Sequence, residues 1–409
     1  MNFDDTPQEA AFRAEARAWI AANAPKQYED DLRKSSLGRT QIKGANLLEV
    51  AKAWQKKKAA AGWACLHWPK EYGGRGASPI ERVIWQQEEG PFGKLSSVFI
   101  IGHGMCGPTV MAFAAEEQKR KYLPPLASGE KVWCQLFSEP AGGSDVAGLR
   151  TRAEKKSDEW IVNGQKIWTS GAHYSDYGIL LTRTDPTVPK HKGLTFFIVD
   201  MKTPGIETRP IRQISGMSEF NETFLTDVRI PDANRIGAEG EGWACCMTVL
   251  MGERLGSGAH RSGIEPLIDF AASTPDGRGA TMLDDRSVRL ALAEALADER
   301  GAGHFQARLR TMVSKGENPG ALAGMVKLSY AGRQQRALGL AMELRGLDAI
   351  AADPTDSFTP DLQYDYIYST VMRIAGGADE VLRNQIAERV LGMPGEVRMD
   401  KDVPFEQLK

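Results

Sequence analysis

The stretch Trp133–Gly171 reads WCQLFSEPAGGSDVAGLRTRAEKKSDEWIVNGQKIWTSG. Val132 to Phe137 is an apolar run of strand type. Ser138-Glu139-Pro140-Ala141-Gly142-Gly143-Ser144-Asp145 breaks it with residues suited to tight turns and close backbone approach, and such a loop can offer amide N–H groups to phosphate or carbonyl oxygens. Further on, Trp160-Ile161-Val162 and Gln165-Lys166-Ile167-Trp168 flank Asn163-Gly164, a strong short-range signal for a hairpin turn. A period of two puts Trp168 and Ser170 on the same side, where a flat aromatic beside a hydroxyl suits a planar heteroaromatic ligand with hydrogen-bonding edges. A sandwich core with a surface turn fits the pattern as well, because a lone glycine-rich turn is weak evidence.

On the N-terminal side, Thr6-Pro7 reads as a helix cap and first helical position, followed by Phe12, Ala16, Trp19 and Ile20 at helical spacing. Further helices are expected around Leu47 to Ala61, Ile80 to Glu89 and Glu116 to Leu123, giving a helical domain over 1–130. On the other side, Gly178 to Leu181, Leu194 to Val199 and Thr223 to Ile230 continue the β pattern, so residues 131–240 read as a small β-domain. Long helices then return over Trp243 to Ala272, Arg286 to Ser314, Ala321 to Leu344, Asp361 to Ile374 and Asp379 to Val390, forming a domain over 241–409. A run of strands between runs of helices indicates an α+β fold rather than an alternating parallel sheet.

Of the 409 residues, 42% are hydrophobic and 25% charged, close to ordinary globular usage, and the net charge of −2 gives no general attraction to nucleic acid or anionic lipid. Lys56-Lys57-Lys58 and Lys119-Arg120-Lys121 read as solvated helix faces. Cys65, Cys106, Cys134, Cys245 and Cys246 lack zinc-ligand spacing, and the vicinal pair forms no relaxed disulfide, which fits a reducing cytoplasm. The acidic N-terminus has no signal-peptide pattern and no apolar run approaches membrane-spanning length, so neither export nor membrane anchoring is expected. The six histidines show no HxxxH or HExxH arrangement, leaving a metal site or a Ser-His-Asp triad little support.

Two blocks of the central stretch, Ser138–Asp145 (SEPAGGSD) and Asn163–Gly171 (NGQKIWTSG), resemble the TEPGAGSD and NGxKxWxTN blocks of the acyl-CoA dehydrogenase family. Gly240-Glu241-Gly242-Trp243, Glu253-Arg254 and the segment Glu380–Arg389 extend the resemblance over nearly the whole chain. The resemblance implies a helical N-terminal domain, a β-barrel-like middle and a helical-bundle C-terminal domain, with FAD bound between the middle and C-terminal domains and part of the site supplied by a second subunit. It implies flavin contacts from Gln135, Phe137, Ser138, Gly143, Ser144, Trp168, Thr169 and Ser170, with Ser144 also at the CoA thioester, and further cofactor contacts from Met342, Gly346, Ala378 and Glu380. Met251 and Arg254 are implied to touch substrate. Serine at positions 138 and 170 keeps the hydroxyl where the family often has threonine.

The implied chemistry asks for a carboxylate to take the α-proton, donors on the thioester carbonyl and a flavin to accept hydride from the β-carbon. The YEGT-like motif that carries the catalytic glutamate in well-known members reads Ala375-Gly376-Gly377-Ala378 here, so position 376 has no carboxylate, although the Gly376 N–H can still serve the carbonyl. Some members carry the base on the helix after the β-domain, and Glu253 matches that position. Other departures are the missing RxxFG motif, Met342-Glu343-Leu344-Arg345-Gly346 in place of Gln-x-x-Gly-Gly, and Ala378 in place of a pyrophosphate-binding threonine. The resemblance therefore implies FAD-dependent dehydrogenation of an acyl-CoA in lipid metabolism, with an electron-transfer flavoprotein as acceptor and a homodimer or homotetramer as assembly. A mixed oligomer with a related chain, a flavin oxidase or monooxygenase of the same fold, and an acyl-CoA-binding module without catalysis remain open alternatives.

Overall fold

The computed structural model describes residues 5–34, 40–256, 264–315, 317, 319–351 and 358–408. The chain falls into two compact units: Met1–Lys34 with Thr40–Glu253 and Val397–Lys409, and Ser35–Arg39 with Arg254–Glu396.

The first unit begins with α1 (Pro7–Asn23), set by a capping box in which the Thr6 hydroxyl accepts from the Glu9 N–H and the Glu9 carboxylate accepts from the Thr6 N–H. Its buried stripe is Phe12, Ala16 and Ile20. There follow α2 (Glu29–Lys34), α3 (Leu47–Ala60, capped by Asn46) and α4 (Pro79–Glu89), which repeats the capping box with Ser78 and Glu81. A 3-10 stretch Gly90–Phe99 and a π-helical turn Gly102–Cys106 then lead into α5 (Gly107–Phe113) and α6 (Glu116–Ala127). Glycine is needed in the π turn because a Cβ at Gly102 would lie 2.6 Å from Leu126, and one at Gly107 2.2 Å from the Trp68 ring.

Lys58 departs from the solvated face expected of the Lys56–Lys58 run. It is buried and donates to Glu89 at 2.8 Å, and the same carboxylate accepts from the Trp54 and Trp85 indole N–H groups, each at 3.0 Å. The helical period decides this: Lys58 lies four residues after Trp54 on the core face, while Lys56 and Lys57 point out. Among the described residues no single helix is long and apolar enough to cross a membrane.

The strands are β1 (Trp133–Leu136), β2 (Arg152–Lys156), β3 (Glu159–Lys166), β4 (Tyr177–Arg183), β5 (Leu194–Asp200), β6 (Ile206–Pro210), β7 (Asn221–Pro231) and β8 (Arg235–Ile236). They form one sheet in the order β6-β7-β3-β2-β4-β5-β8, with β1 running parallel along β4. Ile179, Leu181, Phe196 and Ile198 enter a core with Trp68 from a loop and Leu123 and Leu126 from α6, while Leu180, Phe197 and Val199 enter a second core with Trp160, Val162 and Val228. Burial on both faces explains why β4 and β5 read as continuous apolar runs without alternation.

The expected turn at Asn163-Gly164 is absent: both residues lie inside β3, and the hairpin reverses instead at Ser157-Asp158, between Lys156 and Glu159. Opposite Asn163, β7 carries an extra residue, with Asp227 in the left-handed region (φ 48°). The Asn163 amide fills that irregularity, donating to the Asp227 carboxylate at 3.0 Å and accepting from the Asp227 N–H at 2.9 Å, in the way a peptide group would. Gly164 is required for a different reason, since a Cβ there would lie 2.7 Å from the Thr151 backbone.

After the sheet comes α7 (Gly242–Gly256), whose Cys245, Cys246 and Val249 join the first of the two sheet cores. The second unit contains α8 (Glu265–Ser273), α9 (Arg286–Ser314), α10 (Ala323–Arg345), α11 (Phe358–Tyr368) and α12 (Asp379–Arg389), around a core of Leu267, Ala271, Leu292, Ala341 and Leu362. The expected continuous helix from Trp243 to Ala272 is seen only as α7 and α8, because residues 257–263 lie outside the described residues. α11 stops at Tyr368, short of the expected Ile374, and a 3-10 turn Val371–Arg373 follows.

Candidate functional site

The two sequence blocks meet just past the ends of β1 and β3. The Ser138 carbonyl accepts from the Ile167 N–H at 2.9 Å, which sets the Ser138 turn beside the end of β3. Behind that contact lies a buried ion pair: Lys166 donates to Glu139 at 2.8 Å and to the Phe137 carbonyl at 3.1 Å. The Glu139 carboxylate also accepts the N–H groups of Arg150, at 2.6 Å, and Thr151, at 2.9 Å, and so anchors both ends of the glycine-rich loop. Burial alone would raise the Glu139 pKa, but Lys166 and these donors hold it below the usual carboxylate range. Sequence reasoning passed over this pair; the available signal was a charged residue inside each of two otherwise turn-like or apolar blocks.

β3 ends at Lys166, so the period-two argument does not strictly reach Trp168, which sits in a left-handed bend (φ 61°) with its ring 55% exposed. The alternation nevertheless survives in burial: Trp168 is exposed, Thr169 buried and Ser170 half-buried. Asn221, fully buried, fixes this bend, because its side chain donates to the Thr169 carbonyl at 2.8 Å while its own carbonyl accepts the Thr169 N–H at 3.0 Å. The Phe220 ring meets the Trp168 ring edge-on at 6.2 Å.

Of the other expected residues in this unit, Phe137 is buried, Gln135 and Ser138 are half-buried, and Gly143 and Ser144 are exposed on the loop. Lys190 ties that loop to the chain's C-terminal segment by pairing with both Asp145 and Asp400. That segment is held further by Phe405, whose ring lies 3.7 Å from the Arg183 guanidinium. Met251 is half-buried near the end of α7, and a Cβ on the neighbouring Gly252 would lie 2.5 Å from the Gly104 carbonyl oxygen, so α7 runs close against the π-helical turn. The side chains of Glu253 and Arg254 lie outside the described residues.

In the second unit, Gly376 (φ 69°) and Gly377 (φ 94°) form a left-handed turn before α12, Ala378 is its N-cap, and Glu380 is exposed. The turn is locked by fully buried Lys327, which donates to the Gly377 carbonyl at 2.7 Å and to Asp379 at 3.0 Å. Gly346 (φ 55°) ends α10, and Met342 packs against the core of this unit.

The residues of the first unit fit a flavin. Neither the Ser138 nor the Ser170 hydroxyl has a hydrogen-bond partner among the described residues, the Thr169 hydroxyl is buried without one, and an aromatic face stands exposed beside them. Unused donors around an exposed aromatic match a planar ring with a polar edge.

The family models for the acyl-CoA dehydrogenase N-terminal, middle and C-terminal domains match residues 6–130, 134–228 and 240–391. Acyl-CoA dehydrogenase IpdE1 of Mycobacterium tuberculosis is 35% identical over 398 residues, 95% of this chain and 98% of the relative. Among solved structures, the Tcur3481-Tcur3483 steroid ACAD aligns with a TM-score of 0.80 at 30% identity, covering 97% of this chain and 100% of that one. The ChsE4-ChsE5 complex from Mycobacterium tuberculosis aligns with a TM-score of 0.78 at 29% identity, with the same coverage.

Proposed function

Since this chain belongs to the acyl-CoA dehydrogenase family and is an oxidoreductase acting on an acyl-CoA, we propose that it carries out FAD-dependent α,β-dehydrogenation of the thioester to the 2-enoyl-CoA. The observation that carries the reading is the joining of the Ser138 turn to the Trp168 bend, which gathers three hydroxyls without partners among the described residues and an exposed indole at one place. We assign Gln135, Phe137, Ser138, Gly143, Ser144, Trp168, Thr169 and Ser170 to hold the flavin, and propose Met342, Gly346, Ala378 and Glu380 as further cofactor contacts. When bound, FAD supplies the acceptor for the β-hydride.

The chain's own part is proton transfer and polarisation. Glu253 takes the α-proton, the Gly376 N–H donates to the thioester carbonyl, and Ser144, Met251 and Arg254 contact the substrate. A thioester α-proton is too weakly acidic for a carboxylate in open water, so the donors must stabilise the developing enolate in a site from which water is excluded. The close approach of Gly252 to Gly104 supports this, since it fixes the α7 backbone one residue before the base. With Glu253 holding the α-proton and a bound flavin available for the β-hydride, the product would be the 2-enoyl-CoA, and an electron-transfer flavoprotein in the cytoplasm would be the electron acceptor. The steroid named for one structural neighbour supports a bulky, ring-bearing acyl group over a simple straight chain.

A second reading makes this chain one subunit of a mixed oligomer in which a related chain completes the FAD and base positions. The substitution of Gly376 and Ala378 and the two-component names of both structural neighbours favour it. Anaerobic bleaching of the flavin by straight-chain and steroid-derived acyl-CoAs, in wild type and Glu253→Gln, separates the readings. Loss of a general base typically costs ~10²–10⁴-fold in rate, so the variant should retain flavin and lose reduction by at least that factor. An unchanged reduction rate removes Glu253 from the mechanism and moves the base to a partner.

A further inference from the structure

In the second unit, α9, α10, α12 and the turn Val371–Arg373 enclose a cleft of about 220 Å³ lined by Arg333, Arg336, Arg373, Arg383, Asp298 and Asp379. This is space for a group the size of a phosphate or diphosphate. Both carboxylates are already engaged: Asp298 pairs with Arg336 at 2.5 Å, and Asp379 pairs with Arg373 and with buried Lys327. Arg383 reaches only Glu380, at 4.0 Å on the surface. Arg333 has neither a hydrogen bond nor an ion pair among the described residues, and its Nε is buried.

A half-buried guanidinium that reaches no acceptor among the described residues has N–H donors to spare for a ligand. Burial pushes the Arg333 pKa down, against the attraction of Glu299 and Asp298, whose carboxylates are not in hydrogen-bonding contact with it. Arg333 and Arg336 stand three residues apart on α10, hence on one face of the helix, and present planar forks of N–H donors into the same cleft. Gly332, one residue before Arg333, also lines the cleft.

We propose that this cleft is an oxyanion site that takes a phosphate or diphosphate group, with Arg333 as its main ligand and Arg336 and Arg383 beside it. None of the four arginines belongs to the set assigned to flavin or thioester, although Asp379 of the lining lies between Ala378 and Glu380, which do. The anion comes from free inorganic diphosphate or from the diphosphate arm of a nucleotide, and both present the same oxygens to the guanidinium forks.

The test is calorimetric titration of the purified full chain with inorganic diphosphate and, separately, with ADP, in wild type, Arg333→Gln and Arg383→Gln, with circular dichroism and flavin content as controls. Saturable binding is expected, weakened about 10- to 100-fold in Arg333→Gln, as for one charge-assisted hydrogen-bonding group lost, and less in Arg383→Gln. Binding of diphosphate alone supports the free anion as the source, and tighter binding of ADP supports the nucleotide. Absence of saturable binding, or equal affinity in wild type and Arg333→Gln, overturns the proposal. So does an Arg333→Gln variant that changes oligomeric state while binding diphosphate as wild type does, because the occupant is then a protein carboxylate.

Discussion

Breaking the Lys166–Glu139 pair should loosen the Ser138 loop from the sheet and destabilise the first unit. Lys166→Met keeps the aliphatic stem but leaves the Phe137 carbonyl without its donor and the buried Glu139 charge with only the Arg150 and Thr151 N–H groups. Removing one partner of a buried pair costs about 3–5 kcal/mol; because two donors remain on the carboxylate, about 3 kcal/mol is expected. Glu139→Gln leaves a fully buried ammonium without its counter-charge and puts an NH2 group against backbone N–H donors, and should sit at the upper end of that range. The double variant should cost less than the sum of the two by about 1–3 kcal/mol, the coupling typical of contacting residues. All nine tryptophans lie at or before position 243, so urea unfolding followed by tryptophan fluorescence reports this unit. Single variants costing under about 1 kcal/mol, or strict additivity, would show that the pair does not anchor the loop. The pH dependence has a definite sign. The Glu139 carboxyl is held below its unfolded value, so its contribution is present above about pH 4.3 and lost as pH falls through the lower folded value. Glu139→Gln should lack that part of the acid limb.

Two further outcomes are expected. Trp168→Ala should weaken flavin retention about 10-fold, the scale of one lost aromatic contact, while changing stability little because the ring is 55% exposed; flavin release measured by fluorescence checks this, and wild-type retention would refute the assignment. His103 is held neutral by burial, its pKa pushed down to about 4, with its ring stacked on Phe99 at 5.2 Å and its Nε2 on the Leu126 carbonyl. The unfolded chain binds the proton more readily between that value and about 6.5, so stability falls as pH drops through this window, by up to about 2 kcal/mol at pH 5. His103→Gln should flatten the melting-temperature profile there, and an unchanged profile would exclude His103 as the cause.

Much of the fold and part of the candidate site could be read from the chain. Thr6-Pro7 with Glu9 specified the start of α1 because capping is a local exchange of hydrogen bonds within four residues, and Arg286–Ser314 was legible because an amphipathic period repeats over many turns. The SEPAGGSD and NGQKIWTSG blocks identified the family and the residues to inspect. Tertiary structure alone decided what their individual residues do. Asn163-Gly164 has the local chemistry of a turn, yet a bulge in the neighbouring strand and the close backbone of Thr151 keep it inside β3, and neither is local in sequence. Lys58 reads as a surface charge and Lys166 as part of a hairpin flank until acceptors 31 and 27 residues away, Glu89 and Glu139, are folded against them. The Arg333 cleft likewise has no linear signature, because it is made by three helices and a turn whose charges cancel only in part. Local sequence fixes hydrogen bonds across a few residues, whereas the pairing of buried charges depends on which distant segments the cores bring together.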